Sequence, residues 1–280
     1  MASNFDCLGL AVSGPEEYEA VVGRALGNAV PVGQVGDALV VRWQDPSGVR
    51  LIASIQDEDV TDLLPSYAGE PGARLADVRM LNDEVATAAV VDEAGEQATQ
   101  MAVELEDRAV IRAAGGSHPG GRASVVALGV EVGVHADERA FAVSPASLLG
   151  DPDEAGDPPA HAVEQGWPWP PRMAAESFIA YGVFGDPAGA QAFAQLAGIV
   201  LHAERRTVSL TGQAFIVARV RTVGFEADLC LPGSGLPETP TAGQVIAGTV
   251  FLVAALGLAP PDTSGSKRPR RRFLRRRSTN

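Results

Sequence analysis

Cysteine, histidine and lysine are scarce in this chain, which holds two, four and one of them among 280 residues. Cys7 and Cys230 lie far apart, with neither the spacing of a zinc site nor that of a redox pair, so a reducing cytosol is the expected compartment. The histidines form no motif. His118 falls in GGSHPGG, which lacks the strand-to-helix setting and the lysine of a phosphate-binding loop and reads as a flexible glycine-rich loop. His135 falls at an expected hairpin tip, His161 in an acidic linker, and His202 on a strand among apolar neighbours. No serine stands in a G-x-S-x-G elbow, and neither C-x-x-C nor H-E-x-x-H occurs. The expectation is a protein without catalytic residues, metal or cofactor.

Two further shortages concern location. The opening MASNFDCLGLAV has no positive n-region and reaches Asp6 before any long apolar run, which argues against a secretory signal and for a cytoplasmic protein. Long apolar runs are otherwise rare; the exception is 239–261, which carries no charge and precedes a basic cluster. Such a run resembles a C-terminal anchor, but its strongly apolar part, Val245 to Ala259, falls short of the roughly 20 residues a spanning helix needs. Val245, Ile246, Val250, Phe251 and Val253 favour strand, so sheet is expected here. Arginine at nearly every basic position, with abundant Ala, Gly and Val, points to a GC-rich bacterial genome.

Acid is what the chain has in plenty. Its formal net charge is -13, and eight of its 22 basic residues sit in the final KRPRRRFLRRRSTN. Residues 1–266 therefore set 14 basic against 35 acidic residues, a formal -21 that repels nucleic acid at long range. The arginines of the tail, Arg270, Arg271, Arg272, Arg275, Arg276 and Arg277, are candidate binding residues. The expected partners, in order, are the chain's own acidic body or an acidic protein, an anionic membrane surface, and nucleic acid.

Turn and periodicity signals divide the chain into an acidic β-rich domain over 1–149, a Pro/Gly/acidic linker over 150–172, a small barrel-like domain over 173–261 and a disordered polybasic tail over 262–280. In the first, Phe5 to Val12 reads as a strand and SGPEEYEAVVGRAL as an amphipathic helix begun by Pro15. Ala38–Trp43 and Val49–Ile55 flank the turn DPSG as a hairpin; further arms are expected at 86–92, 97–105, 123–134 and 139–143. In the third, GDPAGAQAFAQLA reads as a helix with Asp186 as N-cap, followed by strands near 198–208, 213–221 and 224–231. Trp167 and Trp169, in the linker, are expected to dock on a neighbouring domain, with ligand or peptide capture as the alternative.

The order FDCLGLAVSGPEEYEAVV, then VVRWQDPSGVRLIAS, resembles the β-α-β-β-β module of the vicinal-oxygen-chelate superfamily of glyoxalase-like and bleomycin-resistance-like proteins. That resemblance implies a metal-dependent enzyme whose first strand offers His and whose fourth offers Glu. Here those positions hold Cys7 and Ile52 or Ala53, so the resemblance carries the fold and not the metal site. The late strands look OB-like, and Arg205 and Arg206 form the one basic cluster outside the tail. Glu104 and Glu106 share one face of a strand, where solvation is the plain explanation. The resulting expectation is an α+β protein, mainly antiparallel sheet with a β-α-β-β-β start, plus a small C-terminal OB-like β-barrel. Its expected role is binding or scaffolding without catalysis, the alternatives being an atypical chelate-type enzyme and a protein anchored to or lying on a membrane.

Overall fold

The computed structural model describes residues 2–150 and 156–258, so the tail arginines 270–272 and 275–277 lie outside the described residues. The described chain is mainly β. A 3-10 turn, Asp6–Leu8, is followed by helix α1 (Pro15–Leu26) and four strands, β1 (Val30–Val35), β2 (Ala38–Gln44), β3 (Val49–Gln56) and β4 (Asp59–Tyr67). Then come β5 (Pro71–Met80), β6 (Val85–Val91), β7 (Gln97–Leu105), α2 (Arg108–Ala113) and β8 (Ser117–His135). Helices α3 (Glu138–Val143) and α4 (Ala160–Gln165) precede β9 (Ser177–Ile179), β10 (Phe193–Thr207), β11 (Ala214–Thr222), β12 (Phe225–Pro232) and β13 (Val245–Ala255).

Strands β1 to β4 form an antiparallel sheet in sequence order, and the other nine form one mixed sheet. Apart from β9, which pairs with β10 at the edge, the larger sheet is two copies of a four-strand plan. In each copy the first strand pairs with the second and the fourth, as β5 does with β6 and β8, and β10 with β11 and β13. The third strand pairs in parallel with the fourth strand of the other copy: β7 with β13, and β12 with β8. The fourth strands, β8 and β13, pair antiparallel with each other, which closes two five-strand circuits around a shared central pair. At the centre Asp228, Val126, Val253 and Glu104 stand side by side in register, one carboxylate residue on each flank.

Strands on both sides of 150–172 thus share one sheet, where the sequence reading placed two units and a linker. The strands after residue 173 close only through β8. The run expected as sheet at 245–255 is β13, fully paired, and among the described residues no helix is long and apolar enough to cross a membrane. Alternation along β8 distributes its side chains between two cores: Val125 and Ala127 belong to the one inside the circuits, while Val126, Leu128 and Val130 belong to a second core that also holds Val40, Leu51 and Leu64 of the four-stranded sheet. Each fully buried aliphatic side chain of this kind contributes about 1.5–3 kcal/mol.

Helix α1 and the β2–β3 hairpin stand as expected. Asp45 Oδ1 accepts the Ser47 N–H at 2.9 Å inside the hairpin turn, and Oδ2 accepts the Ser209 N–H at 3.0 Å, tying the turn to the β10–β11 loop. Four expectations change. Phe5–Val12 is not a strand: Ser3 and Asp6 bond reciprocally, at 2.8 and 3.1 Å, and Gly9 takes the left-handed conformation at φ 63°, folding the run back so that Cys7, Leu8 and Leu10 are fully buried. Residues 138–143 are helical because Asp137 caps them, its carboxylate accepting the Ala140 N–H at 2.7 Å. Asp186 does cap a turn, but that turn ends at Gly189; from Phe193 the alanine-rich segment extends as β10, since its partners on β13 and β11 override a weak helical preference. GGSHPGG is not a loop either. Ser117 to Gly121 pair with β5, and Gly120, at φ 106°, brings its Cα so close that a Cβ would sit 2.0 Å from the Leu75 carbonyl oxygen.

Candidate functional site

The register of the four-stranded sheet puts Val40 and Arg42 of β2, Arg50, Ile52 and Ser54 of β3, and Asp62, Leu64 and Ser66 of β4 on one face. That face looks toward the end of β7 and the start of α2, where the sequence runs Glu104-Leu105-Glu106-Asp107-Arg108. Between them lies a cleft of about 520 Å³, walled also by Arg122 and Ser124 of β8 and by residues 255–258 after β13. Its size falls within the range of small-molecule sites, and its apolar lining includes Val32, Val40, Ile52, Val110, Leu256 and Leu258.

Two separate groups of ion pairs hold this junction: Arg50 and Glu106 line the cleft, while Arg108, Glu104 and Asp62 lie outside its lining. Arg108, with a side chain only 4% exposed, donates through Nη1 to Glu104 at 2.6 Å and through Nε to Asp62 at 2.8 Å, with Nη2 making a second bond to Asp62. The two-pronged contact is the geometry that suits a guanidinium against a carboxylate. Glu106 accepts from the Ser66 hydroxyl at 2.6 Å and, more weakly, from Arg50 at 3.4 Å. Burial raises the pKa of both glutamates, opposed at Glu104 by Arg108 and at Glu106 by the Ser66 hydroxyl and Arg50. They are not the solvated pair expected from their spacing, because Asp62 and Ser66, distant in sequence, lie against them.

Asp107 performs a different task. Its carboxylate accepts the Leu256 and Leu258 amides at 2.7 and 2.9 Å and so clasps the chain leaving β13 against the cleft; burial raises its pKa, and these amides oppose the rise. At the far side of the central pair, Arg219 donates to Asp228 at 3.0 Å and to Glu226 at 3.1 Å, while Asp228 also accepts the Glu70 amide at 2.9 Å. Burial raises the Asp228 pKa against the pull of Arg219. Glu104 and Asp228 thus stand on the third strands of the two copies, but Arg219 reaches Asp228 as its cross-strand partner on β11, whereas Arg108 reaches Glu104 from α2.

The residues singled out from sequence lie elsewhere. Arg205 donates to the carbonyls of Gly233 at 2.8 Å and Leu236 at 3.0 Å. Arg206 donates through Nε to Glu204 at 2.8 Å and through Nη1 to the Ser47 carbonyl at 2.8 Å, and lies 5.5 Å over the Tyr67 ring. Both fasten loops. Trp167 is 56% exposed and meets His161 edge to face at 6.0 Å, while Trp169 donates its indole N–H to the Gly156 carbonyl at 3.0 Å. Cys7 is buried in the 3-10 turn, and burial, with Asp6 nearby, pushes its thiol up to about 12. Among the described residues no group of three or more His, Cys, Asp or Glu converges as metal ligands would.

Arg42, Arg50 and Arg122 were not singled out from sequence. The only available signal was their alternation with apolar residues on strands, which does not say which strands face one another. Compared with family models, curated proteins and solved structures, the chain matches none.

Proposed function

We propose that this protein is a non-catalytic binding protein whose ligand sits in the cleft between the four-stranded sheet and the β7–α2 junction. One observation carries the reading: the carboxylates lining the cleft already hold internal partners. Glu106 is engaged by Ser66 and Arg50, and Asp107 by the amides of 256–258. Groups so held shape a wall rather than exchange protons with a substrate. An OB-like reading of the late strands fits this proposal in an altered form. The five strands β10, β11, β12, β8 and β13 form a closed circuit, the strand number of that barrel, with β8 drawn from the other copy.

The test is a small-molecule stabilisation screen on the full-length protein and on Ala109→Trp, which fills the cleft from α2. Compounds that raise the melting temperature of the first and not of the second identify cleft ligands. If every stabilising compound acts equally on both, the cleft is not the binding site.

A further inference from the structure

We infer that the cleft is built for an amphipathic anion, a single phosphate or carboxylate head on an aliphatic body. This rests on the cleft reading above and names its ligand class. The head would be held by Arg42 from β2 and Arg122 from β8, which approach from the two sheets that wall the cleft. Among the described residues neither arginine has a carboxylate within ion-pair distance, whereas Arg50, Arg108, Arg112, Arg206, Arg219 and Arg221 all do.

In a body with so large an acidic excess, two unpaired guanidiniums at one cleft are the sites where an incoming anion meets attraction rather than repulsion. Charge also limits the ligand's size. At physiological salt, screening confines this attraction to about 8 Å, so one head group profits from it, whereas a polyanion would extend over acidic surface. The other charged residues of the lining, Arg50, Glu106 and Asp107, already hold partners within the protein, and Val32, Val40, Ile52, Val110, Leu256 and Leu258 offer an apolar surface. An alkyl chain gains from that surface and a bare phosphate does not.

Calorimetric titration of the full-length protein with decyl phosphate, inorganic phosphate, decanol and decyltrimethylammonium, each below its micelle concentration, tests the inference. Decyl phosphate is expected to bind at least about tenfold more tightly than any of the other three, and Arg42→Gln and Arg122→Gln each to weaken it about tenfold while melting as the parent does. Ala109→Trp should abolish the heat signal. Decanol binding as tightly as decyl phosphate, with both arginine variants indifferent, overturns the anionic head but leaves the cleft reading standing. Inorganic phosphate binding equally well overturns the aliphatic body. Decyl phosphate binding undiminished in Ala109→Trp overturns the cleft reading itself, and no heat from any probe overturns the ligand class.

Discussion

Replacing Arg108 by Met isolates the ion-pair group that joins β4, β7 and α2. The substitution keeps the aliphatic stem and removes the charge, leaving Glu104 and Asp62 without the counter-ion they share. Breaking one partner of a buried pair costs about 3–5 kcal/mol. Glu104 is 12% exposed and Asp62 25%, so Asp62 regains some water and the lower end, about 3 kcal/mol, applies. For a chain of this length that is a fall of about 6 °C in melting temperature at pH 7, read by differential scanning calorimetry. The loss should depend on pH in a defined direction. Without Arg108, nothing opposes the burial that already raises the Glu104 pKa. The folded state then holds a proton on Glu104 at a pH where the unfolded chain has released it. Stability is therefore regained as pH falls toward the ordinary carboxylate range and lost as it rises. Adding Glu104→Gln should recover more than half of the deficit. A variant that melts within about 1 °C of the parent at pH 7, or loses the same amount at pH 5 and pH 8, would refute the account.

Other expectations follow from the same geometry. In the unaltered protein Glu104, Glu106, Asp107 and Asp228 all have raised pKa values, so their joint contribution makes the fold more stable as pH is lowered from 7 toward the ordinary carboxylate range; melting temperatures across that interval measure it, and Glu106→Gln should flatten the slope. Asp107→Ala removes the acceptor for two amides, so hydrogen exchange at Leu256 and Leu258 should accelerate about tenfold or more while that of Val126 in the centre of β8 is unchanged. Cys7 and Cys230 are fully buried, and burial raises both thiol pKa values, so a thiol-specific reagent should find neither in the native protein and both after unfolding. Gly120→Ala should be among the costliest single-methyl additions, about 3 kcal/mol or more by chemical denaturation, because Leu75 can yield only by breaking the β5–β8 ladder.

Local chemistry decided the local elements. Pro15 with Glu16 and Glu17 begins a helix wherever it stands, and Asp45-Pro46-Ser47-Gly48 turns the chain between two β-rich arms whatever packs around it. These features depend on neighbours within a few residues and were legible. The opening run and the 185–197 segment were not, because apolar content and alanine do not separate strand, turn and helix; Gln213 reaching Ala11 and β13 pairing with β10 settled them from about 200 and 55 residues away.

The acidic excess of the body, the scarcity of thiol and imidazole and the sheet character of 245–255 were properties of the chain by itself. Which strands face one another was decided only in three dimensions. The exchange of β8 and β13 between the two copies brings residues from β7, β8 and the end of β13 together, and the four-stranded sheet closes over them. An arginine on a strand is the same in sequence whether its partner is water, a carboxylate or an empty cleft. That partner is fixed by pairing across long separations, for which strand periodicity carries no address.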